Sequence, residues 1–126
     1  MGRKKILFID DDADYIESTK LFLEKKYEVI TAYDAEEGFK KIGKEKPDLI
    51  LLDAMMPGKD GFIFAKELKT HPDYKNIPII MLTGVVPIIF DTKYSPEDIL
   101  RFEGDDFVEK SAGIEEIMST VKRHIG

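Results

Sequence analysis

The sequence predicts an α/β fold, a doubly wound sandwich in which helices cover both faces of a five-stranded parallel sheet. Three observations carry that expectation. Short, continuous, partly β-branched apolar runs recur at Ile6–Ile9, Leu49–Leu52 and Ile77–Leu82, the signature of strands buried on both faces. Segments of helical period lie between them. The order strand then helix repeats along the whole chain, which requires right-handed crossovers between parallel strands.

Taken in order, Ile6–Ile9 is the first strand, and Ala13–Lys25 the first helix, with Ile16, Thr19 and Leu23 on one stripe. Tyr27–Thr31 reads as the second strand. Asp34 then caps a helix over Ala35–Ile42. After the strand Leu49–Leu52, Asp60 caps a helix over Gly61–Thr70. Ile77–Leu82 is the fourth strand. The next helix has the most explicit start: Ser95 as N-cap, Pro96 at the first helical position, Glu97 and Asp98 in the first turn, and Gly104 to close it. Asp106–Glu109 is the fifth strand. The last helix, Ile114–Ile125, aligns Ile114, Ile117, Met118, Val121 and Ile125 on one face.

Composition narrows the function classes. A chain of 126 residues with 43% apolar residues fits one domain with a sizeable core, and residues 1–126 are read as that domain. The longest apolar run, Val85 to Phe90, is far short of the roughly 20 residues that span a bilayer. The basic, then apolar start resembles a signal peptide only until Asp10 interrupts it. With no cysteine, disulfides and thiolate metal sites are excluded. A net charge of −6 argues against direct nucleic-acid binding, which needs a basic face. The expectation is a cytoplasmic protein that meets other proteins and no membrane.

Ligands in such sheets bind outside the carboxyl ends of the strands. Those ends carry Asp10-Asp11-Asp12, Asp53, Thr83 and Lys110. Converging carboxylates raise one another's pKa unless a cation neutralises them. An all-oxygen donor set favours a hard cation, and a few carboxylates plus water suit Mg²⁺. The residues alone leave a second reading open for Asp10 and Asp11, as helix caps; Asp12 reads as a cap. Asp53, after four apolar residues, is a buried carboxylate in need of a partner, and Lys110 is either that partner or a solvated strand end. His71 and His124 read as surface residues.

Four segments, in order and on the expected strands, resemble the response-regulator receiver family along essentially the whole chain. They are Lys5-Ile6-Leu7-Phe8-Ile9-Asp10-Asp11-Asp12, then Pro47 through Gly61 around Asp53, then Ile79-Ile80-Met81-Leu82-Thr83, and Gly104-Asp105-Asp106-Phe107-Val108-Glu109-Lys110. The resemblance implies a flavodoxin-like (βα)5 fold with strand order 2-1-3-4-5, of the single-domain, chemotaxis-regulator type. It implies that Asp53 is the phosphoacceptor, taking a phosphoryl group from a phosphohistidine on a sensor histidine kinase or a histidine phosphotransfer protein. It implies Mg²⁺ held by Asp11, Asp53 and the backbone carbonyl of Met55, with Asp10 assisting through water, and Lys110 paired with a phosphoryl oxygen. Thr83 and Phe107 become the switch, coupling the modification to the surface around the fifth strand and the helix beginning at Ser95, where a downstream protein binds. Residues alone would make both of them ordinary core or strand-end positions.

On this reading the chain is not an enzyme beyond its own phosphotransfer and slow autodephosphorylation, and it is a monomer or a weak, phosphorylation-dependent dimer. Two features depart from the family. Ser111 follows Lys110 where proline, commonly in a cis peptide, is usual; a cis bond before a non-proline residue costs about 3 kcal/mol, so a trans bond is expected. The stretch from Thr83 to Phe107 is also about five residues longer than the family norm, with the excess in Gly84–Tyr94. A haloacid-dehalogenase-like phosphatase also uses a strand-end Asp with Mg²⁺, but needs an acid where this chain has Met55. A degenerate receiver used only for contacts is the third reading, opposed by the joint presence of Asp11, Asp53, Thr83 and Lys110.

Overall fold

A computed structural model of the protein describes residues 2–56, 58, 60–84 and 105–126. The described elements are β1 (Lys5–Ile9), α1 (Ala13–Leu23), β2 (Glu28–Ala32), α2 (Ala35–Glu45), β3 (Leu49–Asp53), α3 (Gly61–Thr70), β4 (Ile79–Thr83), β5 (Asp106–Glu109), a 3₁₀ turn (Lys110–Ala112) and α4 (Ile114–Ile125). All strand pairs are parallel and the sheet order is β2-β1-β3-β4-β5, the expected topology. The expected helix at Ser95–Gly104 and the segment Val85–Tyr94 lie outside the described residues.

Alternate residues of each strand enter two separate cores. Leu7, Ile9, Ile50, Leu52, Ile79 and Met81 pack against Ala35 and Ile42 of α2 and Phe64, Ala65 and Leu68 of α3. Ile6, Phe8, Leu49, Leu51, Ile80, Leu82 and Val108 pack against Ile16 and Leu23 of α1 and Ile117 and Val121 of α4. β3 and β4 are buried at every position. With both faces apolar, alternation cannot set register; the polar strand ends do, since a one-residue slip would draw Asp53 into the core.

Side-chain caps fix where the helices begin. Asp12, Asp34 and Asp60 accept backbone N–H groups from Tyr15, Glu37, and both Phe62 and Ile63 respectively. Several bounds differ from the sequence expectation. β4 starts at Ile79 because Pro78 has no N–H to give the ladder. β2 is displaced by one residue from the expected Tyr27–Thr31. α1 ends two residues early, at Leu23, while α2 runs past Ile42 to Glu45, where Lys46 turns left-handed at φ 51°. Lys110 does not end β5 but opens the 3₁₀ turn: β5 pairs with β4 only as far as Thr83↔Glu109, and the chain turns where its partner stops. No peptide bond among the described residues is cis, so Lys110–Ser111 is trans as expected. Both histidines are half-buried rather than free on the surface. His71 stacks on Tyr74 at 4.1 Å, and His124 Nε2 lies 3.1 Å from Asp106 Oδ2, joining α4 to β5.

Candidate functional site

Parallel register delivers the chemistry to one end of the sheet. Ile9 pairs with Leu52, so Asp10 and Asp53 emerge side by side from the two central strands. Asp53 pairs with Leu82 and Thr83 with Glu109, which places Thr83 beside Asp53 and Lys110 just beyond Thr83. Carboxylate oxygens of Asp10, Asp11 and Asp53 all lie within 4.8 Å of one another. Asp10 and Asp53 are buried, at 0% and 3% exposure, whereas Asp11 faces solvent.

Each buried carboxylate is held. Asp10 Oδ1 accepts the Asp12 N–H at 2.9 Å, and Lys110 Nζ lies 2.7 Å from Asp10 Oδ2 and 3.5 Å from Asp53 Oδ1. Asp53 Oδ1 also accepts the Met55 N–H at 3.2 Å. These partners do not offset the burial of Asp53. Desolvation, the neighbouring charge of Asp10 and a hydrogen bond with the Asp11 side chain push its pKa up to about 7, against the pull of Lys110 and the Met55 N–H. Burial acts on Lys110 in the opposite sense, but the Asp10 and Asp53 carboxylates outweigh it and raise the ammonium's pKa. The resting site therefore holds one firm cation and a surplus of acid.

That surplus is the observation that fits a metal. Three carboxylates, two of them buried and one, Asp53, with its pKa raised by burial and by the Asp10 charge, form an oxygen-only donor set suited to a hard divalent cation. Met55 sits in the turn directly after Asp53, with its side chain half-exposed and its carbonyl in the same turn. The turn depends on Gly61. A Cβ there would lie 2.2 Å from the Asp53 carbonyl oxygen and 2.8 Å from Ala54 Cα, and the Gly61 N–H donates to Ala54 O at 3.1 Å. The first residue of α3 thus packs directly on the backbone that presents Asp53.

Thr83 is buried at the end of β4, on the face that carries Met81. Phe107 packs half-buried against that same core, its ring 6.1 Å from that of Phe62. The two expected switch residues therefore share one face of adjacent strands. Asp12 acts as the N-cap of α1, as expected, and in addition anchors Asp10.

Two contributors escaped the sequence reading. Gly61 read only as a helix start, and its steric role requires knowing that α3 returns onto β3. Tyr15 read only as a helix residue, yet its ring lies 4.6 Å from Lys110 Nζ. No local pattern signals either contact.

Comparison with known proteins gives a consistent answer. The chain is 38% identical over 120 residues to the alkaline phosphatase synthesis transcriptional regulatory protein PhoP of Bacillus subtilis (strain 168), a match covering 94% of this chain and 47% of PhoP. The chain thus spans about half the length of that relative. Among solved structures it is similar to a CheY-like response regulator receiver domain protein from Methanospirillum hungatei JF-1, with a TM-score of 0.80 and 30% identity over 97% of this chain and 93% of that one. It is similar also to chemotaxis protein CheY4 of Vibrio cholerae, with a TM-score of 0.81 and 28% identity over 98% of this chain and 100% of that one. The model of the response regulator receiver domain matches residues 6–122, nearly the full length of the five-stranded fold, and the chain belongs to that family.

Proposed function

We propose that the chain is a phosphorylation-controlled signalling switch whose acceptor is Asp53. The observation that carries this reading is the placement of Asp53: a buried carboxylate beside two further acids and within 3.5 Å of a lysine ammonium. A carboxylate oxygen of Asp53 attacks the phosphorus of a phosphohistidine on a sensor histidine kinase or histidine phosphotransfer protein. The P–N bond breaks, the electron pair returns to the imidazole, which takes up a proton, and an acyl phosphate is left on Asp53. Lys110, already charged at the site, pairs with a phosphoryl oxygen as negative charge arrives. Asp10, Asp11, Asp53 and the Met55 carbonyl would hold Mg²⁺, which when bound offsets charge on the phosphoryl oxygens.

Readout runs through Thr83 and Phe107. The Thr83 hydroxyl donates to a phosphoryl oxygen present only in the modified state, and its movement opens space on the shared sheet face toward which Phe107 can turn. That changes the surface flanking β5, where a downstream protein partner docks. The site carries no acid at position 55 to speed turnover, so the reading is a switch that holds its phosphoryl group rather than an enzyme releasing phosphate.

Incubation with acetyl phosphate and Mg²⁺ is expected to add one phosphoryl group, stable over the labelling time and removed by hydroxylamine, as intact-mass spectrometry reads directly. Continuous release of phosphate without retained label would overturn the proposal in favour of a phosphatase. Asp11→Ala is expected to weaken Mg²⁺ binding roughly ten-fold or more and to slow labelling. Calorimetric titration checks it; unchanged affinity moves the metal away from this cluster.

A further inference from the structure

The ammonium of Lys110 has two different tasks on the reading above. At rest it lies 2.7 Å from Asp10 Oδ2 and 3.5 Å from Asp53 Oδ1. After phosphoryl transfer it must give up part of this contact and meet an oxygen farther out. A compact, strongly hydrated charge on a long flexible stem is poorly suited to such a move unless something confines it. Neither carboxylate can do so, because both change partners in the same event.

One group beside Lys110 is neither the phosphoryl acceptor nor a metal ligand on that reading. The Tyr15 ring lies 4.6 Å from Nζ, within the range of a cation–π contact. It is held from two sides. The Tyr15 N–H donates to the capping Asp12 Oδ1 at 3.1 Å, which fixes the backbone from which the ring projects. On the other side it makes a T-shaped contact with Phe8 of β1, with ring centroids 6.0 Å apart and an interplanar angle of 88°. Phe8 is fully buried in the core between the sheet and α1. The ring face, rather than the buried hydroxyl, is the part of the side chain that lies beneath Lys110 Nζ.

We propose that Tyr15 is a positioning residue for Lys110: its ring face holds the ammonium at the mouth of the site independently of Asp10 and Asp53, and so preorganises the lysine for the phosphoryl group. The inference rests on the functional reading above and adds to it a residue that touches neither the phosphoryl group nor the metal. Its chemistry requires an aromatic face and no hydroxyl. Phenylalanine should therefore substitute, and an aliphatic side chain of similar bulk should not.

The test compares acetyl phosphate labelling rates, at fixed Mg²⁺, for the parent, Tyr15→Phe, Tyr15→Leu, Tyr15→Met, Lys110→Ala and Tyr15→Leu combined with Lys110→Ala. Tyr15→Phe is expected to stay within about two-fold of the parent, and Tyr15→Leu and Tyr15→Met to fall roughly five- to ten-fold. Adding Tyr15→Leu to Lys110→Ala is expected to cost nothing further, because the lysine through which the ring acts is gone. In NMR spectra the Lys110 ε-methylene protons should be shifted upfield by the ring in the parent and Tyr15→Phe, and lose that shift in the aliphatic variants. Tyr15→Met guards against a Tyr15→Leu variant that does not fold. Equal losses with and without Lys110, or aliphatic variants that label like the parent, would overturn the inference alone. A parent that never labels Asp53 would overturn the functional reading and this inference with it.

Discussion

Asp53→Asn is expected to lower phosphoryl acceptance roughly a thousand-fold or more, because the amide has no carboxylate oxygen to attack phosphorus. The same change is expected to stabilise the metal-free protein. The folded state holds the Asp53 pKa at about 7, against an ordinary value of 3.8, so between those pH values the native protein binds a proton that the unfolded chain releases. Native stability therefore falls as pH rises from about 4 to about 7. Below that window both states are protonated and the carboxyl costs nothing; above it the full penalty applies. Asparagine carries no such penalty, so the variant's advantage should be close to zero near pH 4 and reach about 2–4 kcal/mol above pH 7. Urea denaturation at several pH values, without divalent ions, measures it. Added Mg²⁺ should close much of the gap by stabilising the parent more than the variant. A gap that is constant across pH would mean that Asp53 is not the group under electrostatic pressure.

Gly61→Ala is expected to cost about 3 kcal/mol or more and to impair labelling at Asp53 in whatever protein remains folded. The atoms nearest the added Cβ would all be backbone: Asp53 O at 2.2 Å, Ala54 Cα at 2.8 Å and Ala54 O at 2.9 Å. To relieve the overlap, either α3 must retreat or the turn carrying Asp53 must shift. Gly38→Ala is the matched control. Its Cβ would also be crowded, at 2.6 Å by Cδ1 and 3.1 Å by Cγ1 of Ile9, but these are side-chain atoms that can rotate away rather than backbone. Alanine also favours the helix there by about 1 kcal/mol over glycine. The control is expected to lose at most about 1 kcal/mol and to label normally. Denaturant midpoints and labelling rates for the two variants separate a steric effect at the acceptor turn from a general effect of filling space.

The fold was legible because the strands announce themselves on both sides. Runs such as Leu49–Leu52 can only be buried twice over, and the caps Asp12, Asp34 and Asp60 mark where helices follow. The site was legible for a related reason: in a parallel sheet, the residue at the end of each apolar run projects to the same edge. Asp10, Asp53, Thr83 and Lys110 needed no tertiary knowledge to be gathered there. What the sequence hid depends on distance. Lys110 leaves β5 for a 3₁₀ turn because β4 stops at Thr83, a fact about the neighbouring strand rather than about Lys110. Gly61 and Tyr15 matter through α3 returning onto β3 and α1 passing beside Lys110. His124 read as a surface residue because nothing near it in sequence reveals Asp106 across the α4–β5 contact.

The central claim is that Asp53 carries the phosphoryl group, and reductive trapping tests it most directly. After incubation with acetyl phosphate and Mg²⁺, borohydride converts an acyl phosphate to the corresponding alcohol. Peptide mass spectrometry is then expected to read homoserine at position 53 and unmodified aspartate at Asp10, Asp11 and Asp12. Labelled protein in which Asp53 is unchanged, with homoserine at another acid or a base-stable phosphoryl group on a serine or threonine, would contradict the account.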